Sequence, residues 1–553
     1  MIVLIAISIL LRLEIPSFFA FGAIHDDELM VRMAQSLIDG TPEIWSQFAI
    51  QKEPGYSYFL ALMIKMKLSP VIAVHLMTMV FTYILFRVLR NLISEAHAAI
   101  YAILVVINPA LFGVGTSRIY NVSFQTSLVV GLLAAVLRLI VLTRSPKASI
   151  YQFLLATFFL FVIIGTMSIT RPDWILIAGP LVGGIVFWDI LARRQSSYRN
   201  LFLVVAVASV FIIPFLSREL VRNLHERSYG VHLVNDVNEG NFKKMMESLA
   251  RIEPQGGSRF IVVSRVALEK AIRVSPTFSQ LSGFLSSRDA ELWRSITCDA
   301  GGPCDEVAGG YLPLMLRDGI MKSFPDLDAR SFQRLTAQIS EEVDLACNSG
   351  QISCGTRGIG AWLPPVDQLD VRLSALEFVK LLYTRTFSFS DRVVFATETD
   401  SNRSAPDIAS TWGIIQNDLV GSRDVTRNGT PQLLSRLISP TFSVVSFAFR
   451  LFVAIGTILF MLFSAKFWRQ VHVVGIGSSM LASVFVFTFF YAVMYANSFG
   501  TAVDGGNLAY LLMVQPVAIG VALVGIHLAF IQFRSTGRDL RDSSSSPKAG
   551  TEL

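Results

Sequence analysis

Three consecutive acids follow the first apolar stretch, in His25-Asp26-Asp27-Glu28-Leu29-Met30. Like charges packed this closely repel, so they are costly unless something uses them. A carboxylate at a helix start can satisfy free backbone amides. Leu29, Met33 and Leu37, with Ala34, repeat at helical spacing up to Gly40, so a helix is expected there. A carboxylate held in that position is also fixed and ionised, the state a general base needs, so capping and catalysis are compatible roles. His25 can lend a proton, ligate a metal or hydrogen-bond its acidic neighbours. After a short loop, Phe48-Ala-Ile-Gln-Lys52-Glu53-Pro54-Gly55-Tyr56 leads into an apolar helix from Ser57. Lys52 can pair with Glu53 or meet an anion.

The elements that position these residues are membrane helices. Of the 553 residues, 52% are hydrophobic and 16% are charged, with a mean hydropathy of +0.54. A soluble domain with a charged surface does not show that balance. Apolar runs near 1–22, 70–90, 97–115, 121–142, 151–169, 174–191, 201–216, 441–464, 471–495 and 507–532 approach or reach the length that spans a hydrocarbon core of roughly 30 Å. The expected fold is all-α, a polytopic transmembrane bundle of about ten spans. Residues 1–22 lack a basic leader and a clean cleavage site, and read as an uncleaved first span. Arg12 and Glu14 lie within it, and one of them is expected to face the bundle interior. His75, in the second span, is expected to pack against a neighbouring helix.

The net charge of +6 is spread along the chain, and no nucleic-acid partner is expected. Arg87 and Arg90; Arg138, Arg144 and Lys147; Arg193, Arg194 and Arg199; Lys466 and Arg469; and Arg534, Arg538, Arg541 and Lys548 fall in every second gap between spans. Those gaps, and both termini, are then cytoplasmic. The chain divides into a seven-helix module at 1–217, carrying the first periplasmic-side loop at 23–69, an extracytoplasmic domain at 218–440, a three-helix module at 441–533 and a disordered cytoplasmic tail at 534–553. The large domain reads as mostly helical, with helices over 239–252 and 326–347. Its 257–275 stretch is too charged to span and is expected to pack or lie at an interface. All four cysteines fall in this domain, as Cys298, Cys304, Cys347 and Cys354. Two short, turn-rich loops on the oxidising side favour disulfides pairing 298 with 304 and 347 with 354; a zinc site is the competing reading.

The acids Asp26-Asp27, Ala34 eight residues after the first of them, Leu37, Gly40, and Lys52-x-Pro54-Gly55-Tyr56 opening 26 residues on resemble one known pattern. It is the first periplasmic loop of the C-type (GT-C) membrane glycosyltransferase superfamily, the clan of the protein O-mannosyltransferases and the lipid A aminoarabinose transferases. Thr170-Arg171-Pro172-Asp173 and Ser117-Arg118-Ile119-Tyr120 are similar to that family's outside turns. The likeness covers the first seven helices, residues 1–217, and does not reach the large domain. Glu53 stands where the family more often has Pro.

The resemblance implies a sugar on a polyprenyl phosphate as donor, an inverting displacement, and Asp26 as the base toward the acceptor. Asp27 would orient the acceptor or hold the motif in place. Lys52, Arg118 and Arg171 would bind the donor phosphate, and His25, Tyr56 and Tyr120 would contact substrate. The acceptor would be a glycan, lipid or protein, and the setting a bacterial-type inner (plasma) membrane. No particular cofactor is implied, and a divalent metal is left open. A transporter or flippase, a polysaccharide polymerase or ligase, and an assembly protein are the competing functions. A transporter more often places charges or broken helices near the midplane, in related halves, whereas here the acids and bases gather in loops.

Overall fold

The computed structural model describes residues 1–13, 24–40, 45–46, 49–112, 116, 118–145, 148–191, 199–254, 260–299, 301–358, 360, 362–364, 369–382, 430–467, 471–499 and 507–544. The described residues are helical throughout, apart from turns and an isolated bridge of Ile252 opposite Cys354. The chain is a helical polytopic membrane protein. Eight described helices are long and apolar enough to span: Pro70–Leu89, Glu95–Phe112, Asn121–Arg144, Ile150–Thr170, Asn200–Tyr229, Phe447–Ser464, Val473–Phe499 and Leu511–Arg534. The other two expected spans are shorter apolar helices, Ile2–Leu13 and Pro172–Trp188.

Asn121–Arg144 lies at the centre of the bundle, enclosed on nearly every side. Among apolar neighbours, small and hydroxyl residues supply the close contacts. Ser127 donates to the Val74 carbonyl at 3.2 Å and also meets Thr78. The helices bearing Gly456 and Gly525 touch backbone to backbone. A Cβ on Gly525 would lie 1.9 Å from the Gly456 carbonyl oxygen, so no larger residue fits. Of the two charges in the first helix, Arg12 is buried, and Glu14 lies outside the described residues. His75 meets Ser8 across helices at 3.0 Å, a packing contact as expected.

Between Tyr229 and Trp362 a polar domain builds its own core from Phe242, Phe278, Leu312, Phe332 and Val343. Its longest helix, Ala329–Asn348, packs against Gly240–Leu249, close to the two helices expected there. The charged 257–275 stretch contributes the helix Arg265–Val274, which buries Ala267, Leu268 and Ala271 in that core and keeps its charges outward. Cys298–Cys304 and Cys347–Cys354 are both disulfide-bonded, the pairing the short loops favoured.

Three boundaries differ from the expected ones. Helix Ile213–Tyr229 runs on past 217 without a break, because Arg218 and Arg222 pair with Glu239 instead of ending it, and it stops at Gly230. Helix Thr430–Ser464 begins before 441. The final helix continues to Ser544, into the segment read as a disordered tail; 545–553 lie outside the described residues.

Candidate functional site

The acids occupy a π-turn, Ile24–Glu28, that runs directly into the helix Leu29–Asp39. That helix buries Leu29, Met33 and Ala34 of the expected repeat, together with Met30, but leaves Leu37 37% exposed near its end. The acids sit inside the helical run and not ahead of it, and the side chains of Asp26 and Asp27 turn toward Lys52, Tyr120 and Arg118 on neighbouring elements.

The two aspartates have different surroundings. Asp27 has a side chain 0% exposed, and Arg118 grips it from the loop before Asn121, with Nε donating at 2.8 and 2.9 Å to its two oxygens and Nη2 lying 2.7 Å from Oδ1. Burial works against the Arg118 charge, but Asp27 and then Asp26 outweigh it and raise its pKa. Asp26 is 28% exposed and receives weaker, more varied contacts. Lys52 donates to its Oδ1, Tyr120 donates from its hydroxyl at 3.2 Å, and Arg118 Nη2 stands 3.5 Å from Oδ2. Burial alone would raise the Asp26 carboxyl, but Lys52 and Arg118 hold it down to about 2. The Tyr120 ring lies under both cations, 4.7 Å from the Arg118 guanidinium and 5.3 Å from the Lys52 ammonium.

Lys52 reaches Asp26 because of the residues that follow it. A Cβ on Gly55 would sit 2.5 Å from Thr170 Oγ1 and 2.7 Å from the Ile169 carbonyl, so only glycine lets this turn seat on the end of helix Ile150–Thr170. Tyr56 is 1% exposed and packs between Phe59 and Phe124. Enclosed in this way, it supports the loop; substrate contact had been expected of it. Glu53 is also buried and accepts from Asn235 at 2.5 Å, and burial pushes its carboxyl up against the pull of Arg218.

Arg171 stands apart from the Asp26 group. Its Nε and Nη2 fork onto Asp173 at 2.9 and 3.0 Å, Nη2 also reaches the Tyr491 hydroxyl at 2.8 Å, and Nη1 reaches Asn121 at 3.0 Å. The anion-binding donors expected of it are directed at this tie between three helices. Ser117 lies outside the described residues.

Two residues at the site carried no signal in the sequence. Gln51 meets His25 Nδ1 at 3.0 Å, and Asp318, from the polar domain, lies 3.4 Å from His25 Nε2. Tyr311 also belongs here, since burial and then the Asp26 charge raise its phenol. Among the described residues no three His, Cys, Asp or Glu side chains converge as a metal site.

No family model matches the chain, and no curated protein matches it. Among solved structures, ArnT from Cupriavidus metallidurans in the apo state is similar at 12% identity, covering 95% of this chain and 76% of that one, with a TM-score of 0.33. A likeness that loose supports no statement about site or substrate.

Proposed function

We propose that this protein is a membrane glycosyltransferase that moves a sugar from a polyprenyl-phosphate donor to an acceptor hydroxyl on the extracytoplasmic face, with inversion at the anomeric carbon. The observation that carries this reading is a solvent-reaching carboxylate, Asp26, flanked by two cations and a phenol, beside a second, buried carboxylate gripped by Arg118. One acid is open to a substrate, and the other fixes the arginine.

In the proposed reaction Asp26 takes the acceptor's hydroxyl proton while that oxygen attacks the anomeric carbon. The carbon–oxygen bond to the lipid phosphate breaks, and Lys52 and Arg118 hold the departing phosphate charge. A carboxyl held near 2 is a weak base. The same cations resolve this: each phosphate oxygen that draws Lys52 away from Asp26 raises the carboxyl toward a useful range, so donor binding would arm the base. Arg171, committed to Asp173, then keeps helices in register and leaves the phosphate to Lys52 and Arg118. The alternation of basic gaps supports placing this end of the bundle outside the cytoplasm. A polymerase or ligase acting on lipid-linked chains would use the same chemistry and differ only in its acceptor.

The test is incubation of purified protein with a panel of labelled polyprenyl-phosphate sugars, scoring release of the lipid phosphate. The parent should release it from at least one donor, and Asp26→Asn should not while remaining folded. Release at the parent rate by Asp26→Asn would remove the catalytic role of Asp26, and no release from any donor by the parent would overturn the reading.

A further inference from the structure

Lys52 is held from the polar domain as well as by the Gly55 turn that follows it. Arg317, on helix Leu312–Ser323, is 0% exposed and lies between the Trp45 ring at 5.3 Å and the Phe332 ring at 4.9 Å. Its Nη2 donates to the Ala49 carbonyl at 2.5 Å and reaches the Ser46 carbonyl at 3.4 Å, while Nη1 pairs with Asp236. The Asp236 amide in turn donates to the Ile50 carbonyl at 3.1 Å. Ile50 has a φ of +49°, left-handed backbone that a β-branched residue adopts only under constraint. Asn235 takes Glu53 on the other side of Lys52. The neighbouring Asp318 reaches His25, which also meets Gln51, so contacts from one dipeptide of the domain end beside both halves of the Asp26–Lys52 pair.

We propose that Arg317, with Asp236, is a positioning residue: its buried charge holds Ser46, Ala49 and Ile50 in the strained turn that delivers Lys52 to Asp26, so the polar domain helps set the ion pair at the site. A fully buried guanidinium is costly unless its donors are used, and here they are spent on backbone carbonyls of that one turn and on the carboxylate that secures its exit. Consecutive residues on a helix point about 100° apart, which lets Arg317 take the lysine loop while Asp318 takes the acid turn. The use of the pair rests on the proposed transferase reading, but the positioning does not.

The experiment therefore needs no sugar. Intact protein is pulsed with acetic anhydride, and the acetylation rate of each lysine is read by mass spectrometry, because an amine held against a carboxylate reacts slowly. The paired variant Arg317→Met with Asp236→Asn leaves no orphaned charge. It should raise the Lys52 rate about tenfold while the exposed Lys322 keeps its rate and hydrogen exchange in Ala329–Asn348 stays slow. Arg317→Lys keeps a charge between the two rings but cannot fork, and should raise the Lys52 rate about threefold. Arg251→Met, which breaks a different ion pair of the same domain, should leave Lys52 unchanged. A Lys52 rate within about twofold of the parent in the paired variant overturns the positioning role. If that variant loses protection in Ala329–Asn348, Arg317→Lys decides on the same criterion. An equal rise in Arg251→Met overturns it too, because the effect would then be general loosening. Absent sugar transfer by the parent, alongside a faster Lys52 in the paired variant, would remove the proposed function and leave the positioning intact.

Discussion

Asp26 and Asp27 are adjacent, identical in chemistry and opposite in setting, so substituting each by Asn separates structure from function. Asp27→Asn keeps the shape and removes a charge that is 0% exposed, facing Arg118, which is 11% exposed. Breaking a buried pair by removing one partner costs about 3–5 kcal/mol. Arg118 retains Asp26 at 3.5 Å as a second carboxylate, which places the expected loss near the lower limit, about 3 kcal/mol. Asp26 is 28% exposed and Lys52 23%, so water replaces much of what Asp26→Asn removes, and that loss should stay near 1 kcal/mol or below. At roughly 2–4 °C per kcal/mol, Asp27→Asn should lower the apparent Tm by about 6–12 °C and Asp26→Asn by no more than about 4 °C, measured on detergent-solubilised protein at one fixed scan rate. Adding Arg118→Met to Asp27→Asn should cost less than the two separate losses summed, because the uncompensated charge leaves with the arginine. Equal shifts for the two aspartates, or a larger one for Asp26→Asn, would refute the division of labour.

The remaining predictions concern the same surroundings. Lys52 and Arg118 hold the Asp26 carboxyl at about 2, below the roughly 3.9 of an unfolded aspartate, so its contribution to stability is complete above about pH 4 and lost as pH falls toward 2. Thermal stability of Asp26→Asn should therefore decline less steeply than the parent's between about pH 4 and pH 2; parallel curves would contradict this origin. Gly55→Ala should destabilise by about 1–3 kcal/mol and speed Lys52 acetylation, since its methyl group enters the end of helix Ile150–Thr170; an unchanged Lys52 rate would show that the turn does not depend on that contact. Opening either short disulfide loop, by Cys298→Ala with Cys304→Ala or by Cys347→Ala with Cys354→Ala, should cost the polar domain about 2 kcal/mol in protease resistance, with helix Asn121–Arg144 unaffected. Lys52→Met should raise KM for the donor and lower kcat, because the same ammonium binds the phosphate and holds its departing charge; unchanged kcat and KM would remove both roles.

What the sequence made legible follows the range of each interaction. Apolar run length marked the spans, and the repeat of Leu29, Met33 and Leu37 marked a helix that buries its first two turns and leaves Leu37 exposed, because both signals are local. The Asp26–Lys52 contact was legible only as a spacing between two motifs; nothing in that spacing separated the open aspartate from the enclosed one. That difference comes from Arg118, a sequence separation of 91 from Asp27. Arg171 pointed to phosphate while its partner Tyr491, at a separation of 320, was out of view. Arg317 and Asp318 sit in helix Leu312–Ser323, which is buried on nearly every face, and burial of charges against a distant turn leaves no periodic trace. The disulfides were legible because each closes a loop short enough to exclude most alternatives.

The helix that joins the bundle to the polar domain has a one-residue irregularity, the π-turn Ala208–Ile212, followed directly by helix through Tyr229. A π-turn accommodates one residue more than α-helical winding, so everything after it is rotated by about 100° relative to an unbroken α-helix. That offset is the angular setting of the whole domain: it points Arg218 and Arg222 at Glu239, beyond which Asp236 and Arg317 meet the lysine turn. Removing Val210 alone would rewind the turn and swing the domain out of phase with the acids, without changing any residue that touches the site. In this protein the bearing of Lys52 would then be set partly by a miscount in a helix that never touches it.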